Sequence, residues 1–141
     1  MKPYLLDVNL LVALAWPSHI HHTQAQEWFA RKKKAGFRTC PLTETGFVRV
    51  SSNPKFTSDA VSPADALALL GRIASLPGHE FWPDDLRLAE AIGAERPIAG
   101  HRQVTDAYLA ALAAAHGGIL ATFDRGVLAL RGASGVVELL A

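Results

Sequence analysis

The sequence predicts an α/β fold: a single three-layer α/β/α sandwich over residues 1–141, with a mainly parallel sheet of four to five strands. Short apolar runs of strand length alternate along the chain with segments whose apolar residues recur at helical spacing. This alternation favours a parallel sheet that is covered by helices on both faces. Half of the residues are apolar and 19% are charged, which indicates a globular chain with a sizeable core. No internal repeat, low-complexity tract or linker interrupts the sequence, so we expect one domain.

Five short segments are predicted strands. The first, Tyr4-Leu5-Leu6, ends at Asp7, and an apolar pattern of helical spacing follows with Leu10 and Leu11. The remaining predicted strands are residues 37–40, 80–82, 119–122 and 136–139. Ligands of open α/β sheets bind in the crevice beyond the carboxyl ends of the strands, so Asp7 is expected to face a site there. Capping of the following helix is the alternative role of Asp7.

Start and stop signals define the helices between these strands. Pro41 opens one helix, which residues 51–54 end. The segment Ser62-Pro63-Ala64-Asp65 opens the next with a capping serine, a proline at the first helical position and an acid in the first turn. Asp84-Asp85 is predicted to cap a helix that reaches about residue 91, and Thr105 to cap a helix over residues 106–116. Residues 23–34 are a further predicted helix, residues 93–100 a loop, and a short helix follows the fourth strand.

Composition limits the class of protein. The formal net charge is only +1, which gives no overall electrostatic signature of nucleic-acid binding but leaves room for a local basic patch. The single cysteine, Cys40, excludes an internal disulfide and suits a cytoplasmic protein. No apolar stretch approaches the roughly 20 residues of a membrane helix. Asp7 and Asn9 interrupt the first apolar run, which we do not interpret as a signal peptide.

Four acidic residues occupy related places in the predicted fold. Asp7 and Asp124 each follow a strand, Glu44 lies in the first turn of the helix after the second strand, and Asp106 opens a helix. Each alone has another explanation, since an acid at a helix N-terminus is favourable by roughly 0.3–1 kcal/mol. Together they indicate a common site, because the carboxyl ends of parallel strands and the starts of the following helices share one edge of the sheet. We therefore expect the four carboxylates to converge.

Four converging carboxylates would repel one another unless a cation lay between them. Oxygen ligands without histidine or cysteine favour Mg²⁺, with Mn²⁺ as a second possibility. Such a site suits hydrolysis of a phosphodiester by a metal-activated water. Asn9 is expected to orient Asp7 from outside the ligand set, and Thr122 to do the same for Asp124.

Four short segments resemble the acidic motifs of PIN-domain ribonucleases and, more narrowly, of the VapC toxins of bacterial toxin–antitoxin pairs. They are Leu6-Asp7-Val8-Asn9 and residues 43–49, 105–109 and 121–125. The resemblance covers nearly the whole chain, with the motifs in the same order. It implies a PIN-like fold and a Mg²⁺-dependent endoribonuclease that cleaves a structured RNA, often a tRNA or ribosomal RNA. It also implies a homodimer and a cognate antitoxin that blocks the site.

The resemblance also implies roles for the acids. Asp7 and Asp106 are expected to be the principal metal ligands, and Glu44 and Asp124 to complete the acidic pocket. The aromatic residues Trp16, Trp28 and Phe29 are expected in core or dimer packing, with a groove for an antitoxin helix as the alternative. The histidines of residues 19–22 are expected to be exposed, the basic run 31–34 to be a solvated helix end, and His101 and His116 to be structural.

Other classes of protein fit less well. A haloacid-dehalogenase-type phosphatase requires an aspartate where this chain has Asn9, and a receiver-type domain requires an N-terminal pair of acids and a late lysine that are missing here. The alternative that stays open is a catalytically silent α/β module that binds a protein partner or RNA. The four acids argue against it, because carboxylates without a metal would destabilise the fold and repel RNA.

Overall fold

The computed structural model describes residues 1–93, 98, 100–130 and 135–140. Within these residues the chain forms a five-stranded sheet in the order β3-β2-β1-β4-β5, and every strand pair in it is parallel. The strands are β1 Tyr4–Leu6, β2 Phe37–Thr39, β3 His79–Phe81, β4 Ile119–Thr122 and β5 Val137–Leu139. The α-helices are α1 Val8–Ala15, α2 His22–Lys32, α3 Pro41–Ser51, α4 Pro63–Ala74, α5 Leu88–Ala91 and α6 Val104–Ala115. Short 3₁₀ turns cover Lys33–Ala35, His101–Gln103 and Arg125–Ala129.

Two apolar clusters cover the two faces of the sheet. Strand β1 contributes to both, because successive side chains of a strand point to opposite faces. Tyr4 and Leu6 pack with α1 to α4 on one side, whereas Leu5 packs with α5 and α6 on the other. Strand β4 divides in the same way between Leu120 and Ala121. The predicted three-layer α/β/α architecture is therefore confirmed.

Strand β1 lies in the centre of the sheet and joins the two halves of the chain. Its residues pair with β2 on one side and with β4 on the other, and Leu6 lies opposite Ala121. All strands run in the same direction, so Asp7, after β1, and the residues after β4 emerge at the same edge. The start of α3, after β2, also lies toward this edge. None of the helices in the described ranges has the length and apolar character that a membrane crossing needs.

Two predicted helix starts are wrong. Asp84-Asp85 does not cap a helix: α5 begins only at Leu88, with Arg87 before it, and the Asp85 carboxylate instead pairs with Nε2 of His116 at 2.9 Å. Thr105 does not cap α6, which begins at Val104 directly after a 3₁₀ turn. In both places a contact or turn set by the surrounding fold outweighs the local capping preference.

The other boundaries differ from the prediction by one or two residues, as is usual at the ends of elements. The predicted loop over residues 93–100 lies largely outside the described residues. His116 is structural, as predicted, because its ring also stacks on Trp82 with 4.7 Å between centroids.

Candidate functional site

Asp7 is a buried carboxylate at the carboxyl end of the central strand. Only 6% of its surface is exposed. Its Oδ1 accepts a hydrogen bond from the backbone N–H of Val8 at 2.8 Å, so Asp7 does cap α1. Its Oδ2 accepts a second hydrogen bond from the Thr122 hydroxyl at 2.7 Å. Burial raises the pKa of Asp7 above its ordinary value, and these two hydrogen bonds only partly oppose that effect.

Thr122, at the end of β4, connects the polar groups of the site. Its fully buried hydroxyl donates to Asp7 and accepts from the Asn9 side-chain amide at 3.2 Å and from the backbone N–H of Asp124 at 3.0 Å. Asn9 also accepts from the backbone N–H of Phe123 at 3.1 Å. Thr122 therefore holds Asp7 as well as the turn that carries Asp124. Asn9 acts on Asp7 through Thr122.

Asp106 and Asp124 complete a cluster of three carboxylates. Asp106 lies in the first turn of α6 and is half-buried, whereas Asp124 is exposed and accepts from the backbone N–H of Gly126 at 2.8 Å. The pKa of Asp106 is raised to about 7, mainly by burial and in addition by the charges of Asp7 and Asp124 and by a hydrogen bond with Asp124. All three line one open cavity of about 570 Å³, which we call the acid cavity. Three of the four predicted acids are thus brought together.

Glu44 is placed differently. It lies in the first turn of α3, but its Oε2 accepts a hydrogen bond from the Thr39 hydroxyl at 2.7 Å. The same hydroxyl lies 2.7 Å from Nε2 of His79. Glu44 lines a second cavity, of about 480 Å³, between α3 and α4. The structure does not bring its side chain into the acid cavity, and a role for Glu44 in metal binding stays a prediction.

The three aspartates suit a hard cation that keeps part of its water shell better than one that is held by protein ligands alone. Among the described residues, no group of three or more histidine, cysteine, aspartate or glutamate side chains is arranged to hold a metal ion. Mg²⁺ does not need such a cage, because it keeps several waters and is usually bound by one or two carboxylates plus phosphate oxygens of a substrate. Burial is the main cause of the raised pKa values of Asp7 and Asp106, and neighbouring carboxylates raise them further. A bound Mg²⁺ or Mn²⁺ would compensate the negative charge of the ionised carboxylates.

The burial of three histidines at the start of α2 was not predicted from the sequence. His19, which lines the acid cavity, His21 and His22 are each partly buried, so the prediction that they are exposed is wrong. The His21 ring stacks on Phe123 at 4.7 Å, and Nδ1 of His22 lies 2.8 Å from the carbonyl oxygen of Ala13. These contacts attach the turn to α1 and to the end of β4. The sequence around these histidines does not predict the contacts, because Phe123 lies far away in the chain and Ala13 carries no polar side chain.

The aromatic residues near α1 and α2 separate into two environments. Trp28 is 4% exposed and belongs to the core, as predicted. Trp16 is only partly buried and lines the acid cavity. Its indole Nε1 donates to the Ser51 hydroxyl at 3.0 Å.

Comparisons with known proteins show which proteins the chain resembles in sequence and in fold. The family model for the PIN domain matches residues 4–132. The chain is 48% identical over 137 residues to Ribonuclease VapC39 of Mycobacterium tuberculosis, an alignment that covers 96% of this chain and 98% of the relative. Its fold matches the crystal structure of VapBC2 from Rickettsia felis bound to a promoter DNA fragment, with a TM-score of 0.68, 16% identity and 99% of both chains covered. It also matches Mycobacterium tuberculosis VapC20, described as a sarcin-ricin loop cleaving toxin, with a TM-score of 0.65, 16% identity and 98% and 99% of the two chains covered.

Proposed function

The chain belongs to the PIN-domain family, among the VapC ribonucleases, and from this we propose that it is a divalent-metal-dependent endoribonuclease that acts as the toxin of a toxin–antitoxin pair. The observation that carries the proposal is the meeting of Asp7, Asp106 and Asp124 in one open cavity. Fold and family alone do not assign a reaction. The cluster supports one, because three carboxylates at the carboxyl edge of a parallel sheet suit metal-assisted phosphodiester hydrolysis.

The side chains of the chain prepare the site for a cation. Asp7 has both oxygens engaged by fixed donors, so its carboxylate cannot rotate freely toward solvent. The protonation of Asp106 depends on the charge nearby. Without a cation, its raised pKa lets Asp106 hold a proton near neutral pH, next to Asp124. Asp7 and Asp106 would be the principal ligands, with Asp124 at the exposed rim. A bound Mg²⁺ or Mn²⁺ supplies an attacking water at neutral pH and stabilises the charge that builds on the phosphoryl oxygens.

The substrate in this proposal is a structured RNA, a tRNA or a ribosomal RNA. The similar protein VapC20 is described as cleaving the sarcin-ricin loop, which supports this class without naming the RNA of this chain. Exposed Arg125 adjoins Asp124 and offers a cation to a neighbouring phosphate. A cytoplasmic location belongs to the same proposal, because the RNA is found there and Cys40 is a free thiol.

Two protein partners complete the proposal. A cognate antitoxin is supported by the similarity to the VapBC2 structure, whose name refers to a toxin–antitoxin pair. A homodimer rests on the family resemblance. Both are expected to change access to the acid cavity rather than its chemistry.

The test is expression in a bacterium of the wild type, of Asp106→Asn and of Asp59→Asn, with sequencing of new RNA ends. Asp59 is an exposed aspartate in the turn before α4, so its variant makes the same chemical change outside the cavity. We expect growth arrest and discrete new ends for the wild type and Asp59→Asn, and neither for Asp106→Asn. Arrest by all three proteins without new ends would contradict the nuclease and favour a silent binding module.

The purified protein gives the second test. We expect cleavage of the RNA found in the cell to require Mg²⁺ or Mn²⁺ and to stop when EDTA is added. Undiminished cleavage in excess EDTA would contradict the metal-dependent mechanism.

A further inference from the structure

The acid cavity is also lined by apolar side chains. These side chains are Val12 of α1, Trp16 directly after α1, Ile20 of the following turn, Val50 of α3 and Phe56 of the turn after α3. We call these five residues the apolar arm. Two of them expose large apolar surfaces to solvent, with Ile20 89% and Phe56 70% exposed. The metal chemistry proposed above uses none of the five, so another role is needed to explain apolar surface at the edge of a charged site.

The Trp16 ring and the backbone that carries Phe56 are held in place by hydrogen bonds. Trp16 is fixed by the hydrogen bond from its indole nitrogen to Ser51. Phe56 sits in a hydrogen-bonded turn, in which its own N–H donates to the Asn53 carbonyl at 3.0 Å and the N–H of Lys55 donates to the Asn53 side chain at 2.9 Å. A ligand that binds between them thus meets side chains that are already partly ordered, which lowers the entropy cost of binding.

Polar groups accompany the aromatic rings. His19 lines the same cavity, and its Nδ1 accepts a hydrogen bond from the backbone N–H of His21 at 3.0 Å. The proton of the neutral ring is therefore on Nε2, which leaves a hydrogen-bond donor. Burial lowers the pKa of His19, and the neighbouring histidines lower it further, so the neutral form prevails at pH 7. Ser18 and Thr57 add hydroxyl groups to the same lining.

We propose that the apolar arm is a subsite for one unpaired nucleobase of the RNA, on a nucleotide next to the phosphate that lies at the three aspartates. Unpaired bases in RNA are recognised by stacking on aromatic side chains and by hydrogen bonds to their edges. The apolar arm offers both, with Trp16 and Phe56 as stacking surfaces and His19 as a donor. This subsite rests on the proposed nuclease function.

Continuity with the acid cavity favours a nucleotide over an apolar side chain of a protein partner. A strand whose phosphate reaches the aspartates has its sugar and base within a few ångströms of that phosphate, and the apolar arm lines the same cavity. A protein segment would need an apolar side chain together with a lysine or arginine to occupy both parts of the cavity. The single cavity thus matches the two ends of one nucleotide.

The test measures binding of mononucleotides in the presence of Mg²⁺, with ribose 5-phosphate as the ligand that lacks a base. Tryptophan fluorescence reports on the apolar arm, because of the three tryptophans Trp28 and Trp82 are 4% and 9% exposed and Trp16 lines the cavity. We expect at least one of the four nucleoside 5′-monophosphates to bind about fivefold or more tightly than ribose 5-phosphate, as stacking of one base requires.

Two variants then locate the effect. Phe56→Ala should remove about fivefold or more of the affinity for that nucleotide and leave the affinity for ribose 5-phosphate unchanged. Phe81→Ala is the matched control, since Phe81 is also half exposed but lies on β3 away from the cavity lining. It should change neither affinity. Both variants should keep a melting temperature close to that of the wild type, because Phe56 is 70% and Phe81 50% exposed.

Equal binding of ribose 5-phosphate and all four mononucleotides, or wild-type nucleotide binding by Phe56→Ala, would overturn the base subsite. RNA cleavage by the wild type alongside either result would leave the nuclease standing without the base subsite. Base-dependent binding that requires Phe56, together with no cleavage of any RNA, would instead overturn the nuclease and keep a nucleotide site.

Discussion

Replacement of Asp106 by asparagine tests whether the three carboxylates share one electrostatic environment. Asparagine resembles the protonated acid in size and can still donate to Asp124, but it cannot carry a negative charge. The pKa of Asp106 is raised from 3.8 to about 7 in the folded protein. Between these values the folded state holds a proton that the unfolded state has lost. The free energy of unfolding of the metal-free wild type therefore falls as pH rises from about 4 to about 7, and stays at the lower value above that pH.

The expected magnitude follows from the size of the shift. Taken in full, it would correspond to about 4 kcal/mol at ~1.4 kcal/mol per pH unit. Water screens a half-buried carboxylate, so we expect about 1–2 kcal/mol, or about 3–8 °C in melting temperature for a chain of this size. Asp106→Asn should match the wild type near pH 4.5 and exceed it by this amount at pH 8, both in EDTA. The measurement is thermal unfolding across that pH range.

Addition of Mg²⁺ extends the same experiment. The ion should raise the melting temperature of the wild type at pH 8 more than that of the variant, because the variant has lost one of its two principal ligands. Two parallel curves of melting temperature against pH, with the same response to Mg²⁺, would refute the reasoning. They would show that Asp106 titrates as an ordinary surface acid and that no cation is needed to stabilise the cluster.

Three further predictions concern individual contacts. Thr122→Val should lower kcat for RNA cleavage about 10- to 100-fold with little change in KM, because Asp7 loses its hydroxyl donor. Thr122→Ser keeps the hydroxyl and should be active. An inactive serine variant would contradict a positioning role. Asp7→Asn should abolish cleavage whereas Glu44→Gln should keep a measurable rate, because Glu44 does not line the acid cavity; equal losses in the same assay would return Glu44 to the metal site. Gly118→Ala should destabilise the fold by about 1–3 kcal/mol, because the added carbon would lie 2.8 Å from a backbone oxygen. Gly71→Ala, in α4 with open space around it, should stabilise the fold by about 0.5–1 kcal/mol. Chemical denaturation should give opposite signs for the two variants, and a shared sign would contradict the packing argument.

The sequence was sufficient to predict the convergence of three acids because that convergence depends on topology. Once β1 and β4 are parallel neighbours, Asp7 and Asp124 must emerge at one edge, whatever the details of the loops. The first turn of α6 brings Asp106 to the same edge for a similar reason. Alternation along β1 likewise follows from the strand period of two, which placed Leu5 and Leu6 in opposite clusters.

The side-chain direction of Glu44 could not be predicted in this way. Its carboxylate binds Thr39, whose hydroxyl also contacts His79 from the next strand. That arrangement depends on the pairing of β2 with β3, which joins residues about 40 positions apart in the chain. The same holds for Asp85, whose capping preference is overruled by His116 from a distant helix. Local sequence patterns predict which residue types lie near a site, whereas contacts between distant segments determine which of their side chains face it.

The pairing of β1 with β4 also determines when a newly made chain can bring its three aspartates together. The hydrogen bond from Thr122 to Asp7 joins residues 115 positions apart, so the site cannot form from the first part of the chain alone. Contacts between such distant segments form slowly, because the long loop must close before the pairing gains any free energy. On the ribosome, Asp7 is made before α6 and β4, which supply its partners. The three aspartates therefore cannot come together until the chain has been made at least as far as Asp124.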